Sequence, residues 1–258
     1  MVAKLKAAGA SEVIVHGDSW QDADTFLRET LIPAAASKGE QGIYTPPFDH
    51  LAIWEGNSTM IQEISTQLPD TSIPDAIVCS VGGGGLFCGV MHGLATIPGW
   101  SSVPVLALET KGADSLSQSL RAGHQNTLAA ITSVAKSLGA VRVADQAFRL
   151  ASTHKNVKSV VFDDAEACMA CWRFADDERF LVEPACGVSV AVCYDGRLKK
   201  LLPNLTPESK VVIVVCGGSR VTLDLLAEYK RVFGKRAEEL GRGNGEEEGR
   251  DVPSAHTQ

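Results

Sequence analysis

Four consecutive glycines, Gly82 to Gly85, stand between an apolar run, Asp75 to Val81 (D-A-I-V-C-S-V), and a helical period that begins at Leu86. An apolar run bounded by turn residues reads as a strand buried on both faces, and such strands belong to parallel sheets whose crossovers are helices. The chain therefore passes from strand to helix through backbone that carries no Cβ. Bare backbone has two uses here. Several N–H groups can converge on an anion at the positive end of the following helix, or neighbouring backbone can simply approach closely.

The same alternation runs along the chain. Residues 2 to 8 read as a short helix, Glu12 to His16 as a buried strand and Asp18 to Ser37 as a long amphipathic helix. Gly42 to Tyr44 reads as a short strand stopped by Pro46-Pro47, and Asp49 to Gln67 as a helix. After the glycine quartet come a helix to Ala95 and a strand at Val103 to Leu108. A further helix precedes a strand at Val157 to Phe162, and helices follow near Ala165 to Phe174 and Pro184 to Tyr194. The last strand, Val211 to Val215, leads into a helix ending near Phe233. The fold class is α/β, a parallel open sheet covered by helices. From Lys235 onward the apolar period gives way to charge and glycine, so residues 235 to 258 are expected to be a disordered tail.

Charge and hydropathy exclude several functions. A net charge of -7 opposes capture of phosphodiester backbones, so no nucleic-acid partner is expected. No apolar run approaches the roughly eighteen residues of a membrane span. The first ten residues lack the apolar centre of a signal peptide, and a cytoplasmic protein is expected. Seven scattered cysteines, an odd number, fit reduced thiols better than a disulfide framework. Cys168 and Cys171 form a C-x-x-C on a helical stretch with no second ligand pair at zinc spacing, which favours small core residues over a metal site.

A second glycine turn, Cys216-Gly217-Gly218-Ser219, closes the last strand. Ligands of open α/β sheets lie beyond the carboxyl ends of strands, so the two turns can flank one ligand. A thiol there can sit against a heteroaromatic nitrogen as a weak hydrogen-bond partner, although a buried core cysteine is the commoner reading of such a residue. The quartet is not followed by Lys-Ser/Thr and is no Walker loop. A nucleotide-dependent oxidoreductase would need an acidic ribose partner about twenty residues on, and Glu109 is the nearest candidate.

Six stretches in order carry a resemblance: P-P-F-D-H-L-A-I-W-E-G at 46 to 56, S-V-G-G-G-G-L at 80 to 86, A-L-E-T-K-G-A at 107 to 113, I-T-S-V-A-K-S-L-G at 131 to 139, V-E-P-A-C-G at 182 to 187 and V-C-G-G-S at 215 to 219. Together they resemble the L-serine dehydratases, fold-type II pyridoxal-phosphate lyases of the tryptophan synthase β-like architecture. The resemblance spans about residues 1 to 234. It implies conversion of L-serine to pyruvate and ammonia, L-threonine as a further substrate, and a homodimer. It also implies a division into a partial small domain (1–45) and a large pyridoxal-phosphate-binding domain (46–234). Carried over residue by residue, it assigns the cofactor phosphate to Gly82, Gly83, Gly84 and Gly85 with Leu86 adjoining, and the pyridine nitrogen to Cys216. A monovalent cation such as K+ maps to Glu109, Ala113, Leu138 and Ala140. Glu109 reads equally well as a cap in a polar turn.

The family's lysine-bearing turn, which forms the Schiff base, has no counterpart among these motifs, so no catalytic residue is assigned and an N-terminally truncated chain is expected. Gly56-Asn57-Ser58 imitates the family's substrate-carboxylate loop but falls on the W-E-G helix. A non-catalytic remnant that binds the cofactor or a partner is the alternative.

Overall fold

The computed structural model describes residues 1–69 and 72–243. Four parallel strands, β1 (Ala76–Ser80), β2 (Val105–Thr110), β3 (Val157–Phe162) and β4 (Val211–Ile213), form one sheet in the order β3-β2-β1-β4. Ile77 pairs with Val105 on one side and Val212 on the other, so β1 is the central strand beside β4. Successive side chains of a strand point to opposite faces. Ile77 and Cys79 accordingly enter one core with Phe87, Leu94 and Trp100, while Val78 enters the other with Leu106, Leu108 and Val188. Full burial on both faces explains why β1 reads as an uninterrupted apolar run.

The first face is covered by α5 (Gly85–Thr96), backed by α4 (Leu51–Gln67), with α7 (Asp145–Thr153) alongside. A Cβ on Gly89 would stand 2.3 Å from that of Asn57, and one on Gly93 would stand 2.6 Å from that of Ile61. Two glycines one turn apart thus let the two helix backbones approach closely. The other face is covered by α9 (Pro184–Val190), which packs against α8 (Asp164–Glu178). Gly187 of α9 leaves room for the Cys171 sulfur and the Ala167 carbonyl of α8. Cys168 and Cys171 are fully buried there beside Leu226, as small apolar residues. Two short helices, α6 (Ser115–Ala122) and α10 (Arg197–Leu201), complete the layers before α11 (Leu223–Gly243).

Three expectations are corrected. Glu12–His16 and Gly42–Tyr44 belong to no strand among the described residues. Val15 is 79% and Ile43 81% exposed, so no second sheet covers them, and β propensity without a pairing partner does not make a strand. The short helix expected at 2–8 is α1 (Val2–Ala7), and the helix expected over 18–37 is real but divided: α2 (Trp20–Phe26), a π turn at Leu27–Leu31, and α3 (Ile32–Ser37). Pro33 has no N–H to give the Glu29 carbonyl, and the widened turn lies just before it. Ser19 and Asp22 close a capping box at the start. Finally, residues 235–243 are not tail but the last turns of α11. Ala237 is buried, and Arg236–Glu239 and Arg242–Glu238 pairs lie on the exposed side, so the amphipathic period continues under the charge. The remainder of the expected tail, 244–258, lies outside the described residues. No described helix is long and apolar enough to cross a membrane.

Candidate functional site

Because β1 and β4 are neighbours and run parallel, their carboxyl ends deliver both glycine turns to the same place. They border a cleft of about 680 Å³ whose wall includes Gly82 to Leu86 and Cys216 to Ser219. The structure therefore brings together all six residues the sequence assigned to cofactor contact.

Each glycine of the quartet meets another part of the protein where a Cβ would be. For Gly82 that is the Leu138 backbone at 3.0 Å, for Gly83 the Phe48 ring at 2.3 Å, for Gly84 the Ala147 Cβ at 2.5 Å and for Gly85 the Phe48 backbone at 2.9 Å. Gly84 alone of the four has positive φ, +96°. Close backbone approach is thus a cause of the quartet in its own right. The loop is pinned further by the Ala144 N–H, which donates to the Gly83 carbonyl at 2.9 Å.

Anion capacity comes from the N–H groups. Those of Gly82, Gly83, Gly84, Gly85 and Leu86 donate to no acceptor among the described residues, and the first hydrogen bond of α5 runs from the Cys88 N–H to the Gly84 carbonyl. Free donors at a helix N-terminus, at the rim of a cleft, suit a phosphate monoester.

At the other turn Cys216 is exposed to the cleft rather than buried in the core. Burial of its surroundings, then the neighbouring Cys186, holds its thiol above the ordinary range, so it faces the cleft as a neutral S–H. Its N–H donates to the Cys186 sulfur at 3.2 Å.

Several lining residues carried no assignment from sequence. Phe48, from the P-P-F-D stretch, lies over Gly83 and Gly85 with Trp20 tilted against it at 4.8 Å. Ser137 and Glu183 meet across the cleft, the serine hydroxyl donating to the carboxylate at 2.8 Å. Lys136 also lines the wall, its ammonium on the Ile131 carbonyl at 3.3 Å, and the Lys4 ammonium donates to the Ser219 carbonyl. Phe48, Lys136, Ser137 and Glu183 stand inside the motifs quoted above, which is the only signal that marked them. Asn57 lines the cleft from within α4, so Gly56-Asn57-Ser58 is helix and not loop.

Glu109 is the last residue but one of β2, is wholly buried and accepts the N–H groups of Leu116 and Ser117, both at 2.8 Å. It caps α6 from a different element, since the Asp114 carboxylate at the N-cap makes no capping bond and is bonded instead to Gly112 and Gln118. Burial raises its pKa to about 8, against the pull of the two N–H donors. A side chain so enclosed is unavailable to a ribose, which removes the nucleotide-oxidoreductase reading. Ala113, Leu138 and Ala140 are buried too, on two loops joined by the Thr132 N–H to the Gly112 carbonyl at 3.0 Å.

The family pattern of the pyridoxal-phosphate dependent enzymes matches residues 1–217. The chain belongs to that family. It is 44% identical over 230 residues to an L-serine dehydratase of Saccharomyces cerevisiae, covering 87% of this chain and 68% of that protein. To an L-serine dehydratase/L-threonine deaminase of Bos taurus it is 42% identical, covering 90% and 69%. Among solved structures, a fungal L-serine ammonia-lyase from Rhizomucor miehei superposes with a TM-score of 0.81 at 35% identity, over 90% of this chain and 70% of that one. The fold is that of the fold-type II members of the pyridoxal-phosphate family. The free N–H cluster and the neutral thiol fit a phosphorylated pyridine.

Proposed function

We propose that this protein is an L-serine dehydratase that converts L-serine to pyruvate and ammonia, with L-threonine as a second substrate giving 2-oxobutanoate. The observation that carries the reading is the single cleft on which five free N–H groups and an accessible thiol converge, in a chain whose relatives bear that name. In this reading Gly82 to Leu86 hold the phosphate, and Cys216 faces the ring nitrogen with its proton retained. Pyridoxal phosphate, when bound, supplies the electron sink for elimination. A neutral thiol donates only weakly and leaves the ring nitrogen largely unprotonated. Ser137 and Glu183, held to one another, keep the intervening wall polar, and Phe48 with Trp20 shields the phosphate end from water.

A monovalent cation is assigned to Glu109 and the carbonyls of Ala113, Leu138 and Ala140. Support comes from the buried Glu109 side chain beside two packed loops, one of which abuts Gly82. The division into a small part, 1–45, and a large part, 46–234, is supported by the absence of any buried apolar residue in the first. The protein is further read as a cytoplasmic homodimer, for which exposed apolar residues such as Phe180 and Leu223 supply contact surface. The family's lysine-bearing turn has no match within residues 1–258, so no residue here is assigned the Schiff base. The second reading is a protein that binds the cofactor without turnover.

Two measurements test the proposal. Calorimetry on the 258-residue chain should show pyridoxal phosphate binding at least about tenfold tighter than pyridoxal, a difference of about 1.4 kcal/mol. Equal binding refutes the phosphate site. The protein isolated from its native source should release pyruvate from L-serine; cofactor binding with no pyruvate would establish the second reading.

A further inference from the structure

We infer that Cys186 and Cys216 form a two-thiol modification site in the cleft, one that two-electron thiol oxidants close to a disulfide and that bound pyridoxal phosphate shields. Both cysteines are free and both line the cleft, Cys216 exposed and Cys186 on α9 almost fully buried behind it. The Cys216 N–H donates to the Cys186 sulfur at 3.2 Å, which is a contact between the two residues themselves. With ordinary bond lengths this places the Cα atoms at most about 7.5 Å apart, and a disulfide needs about 4.4 to 6.8 Å. The small shift that remains falls on a permissive turn. Gly217 has φ +88°, and a Cβ built there would meet nothing within 4 Å.

The other thiols are placed differently. Cys168 and Cys171 are buried in the α8 interior, and the Cys171 S–H already donates to the Ala167 carbonyl at 3.2 Å. Cys79 lies wholly inside the sheet, Cys88 is buried within α5, and Cys193 borders a separate cavity on the side of α10. Cys216 is therefore the thiol a reagent meets on entering the cleft, and Cys186 is its resolving partner.

With the azo compound diamide the step balances as follows. The Cys216 sulfur adds to one nitrogen of the N=N bond and its proton goes to the other. The Cys186 sulfur then attacks the Cys216 sulfur, the S–N bond breaks, and the hydrazine leaves with the second proton. The two thiols lose two electrons and the azo group gains them.

The link alters the surface offered to a ligand, because the sulfur that would face the ring is drawn back toward α9. This consequence rests on the proposed cofactor site, whereas formation of the bond does not. The test is diamide treatment of the 258-residue chain, with and without pyridoxal phosphate, followed by a non-reducing digest and mass spectrometry. A peptide pair joining Cys186 to Cys216, lighter by two hydrogens and restored by dithiothreitol, is expected. It should be lost in Cys216→Ser and in Cys186→Ser, each verified as folded by circular dichroism. Preloading with pyridoxal phosphate should slow it at least threefold. No such link, or one mapping to Cys79 or Cys171 instead, overturns the inference. A link that forms at the same rate with the cofactor present sustains the thiol pair and overturns the cofactor placement.

Discussion

Gly84→Ala tests whether the glycine quartet is held by its own packing. Two costs are legible at this position. Its φ of +96° lies where a side chain is strained, about 1–2 kcal/mol. The new methyl would stand 2.5 Å from the Ala147 Cβ and 3.2 Å from the Val143 Cγ2, and such overpacking costs about 1–3 kcal/mol. The sum, about 2–5 kcal/mol, is a large share of the 5–15 kcal/mol typical of a domain. At about 2–4 °C per kcal/mol the melting temperature should fall by roughly 4–20 °C, read by circular dichroism. Gly56→Ala is the control, since it lies in mid-helix with nothing within 4 Å of a new Cβ and should stabilise by about 0.5–1 kcal/mol. Ala147→Gly combined with Gly84→Ala should show favourable coupling, because it removes the clash and leaves the strain. A Gly84→Ala protein melting within about 2 °C of wild type would refute the packing account. A side chain built at Gly84 runs into Ala147 of α7, so a valine there would report first on folding.

All three tyrosines are pushed up, chiefly by burial, Tyr44 and Tyr229 to about 12 and Tyr194 higher still. The folded state then keeps protons that the unfolded chain releases above pH 10, so stability falls as pH rises from 10 toward 12. Tyrosinate absorbance of the folded protein should therefore rise near pH 12 rather than near pH 10, and a titration near pH 10 in the folded protein would contradict this. Replacing tetramethylammonium by potassium at equal ionic strength should stabilise wild type, by up to about 2.7 kcal/mol at a hundredfold excess over Kd, and so raise its melting temperature, but should leave that of Glu109→Gln unchanged. An equal response of both proteins would remove Glu109 from the cation site.

Some of this was readable from the chain alone, and the reason is burial. The inner strands 76–80 and 105–110 are buried between two helical layers, so they carry an apolar run whatever their neighbours are, while the half-buried edge strands 157–162 and 211–213 showed through their β-branched residues. The strands expected at 12–16 and 42–44 had the right residues but no partner strand, and pairing is a property of two segments rather than one. The extension of α11 was hidden because charged residues pair along an exposed helix face and imitate a tail.

The site divides the same way. A glycine quartet between strand and helix is enough to predict free N–H groups at a helix end, because that follows from chain connectivity. Which way each glycine faces does not follow. Only the packed molecule sets Phe48 over Gly83, Ala147 against Gly84 and Leu138 against Gly82, from segments between 35 and 63 residues away in sequence. Likewise a lone Cys-Gly-Gly-Ser turn reads first as core, and it is the parallel pairing of β4 with β1 that puts Cys216 in the cleft beside Cys186. The sequence by itself determined the local elements and the donor chemistry, through periodicity and the missing Cβ atoms. The tertiary structure decided the company each residue keeps, because strand order and helix docking bring distant segments within contact range.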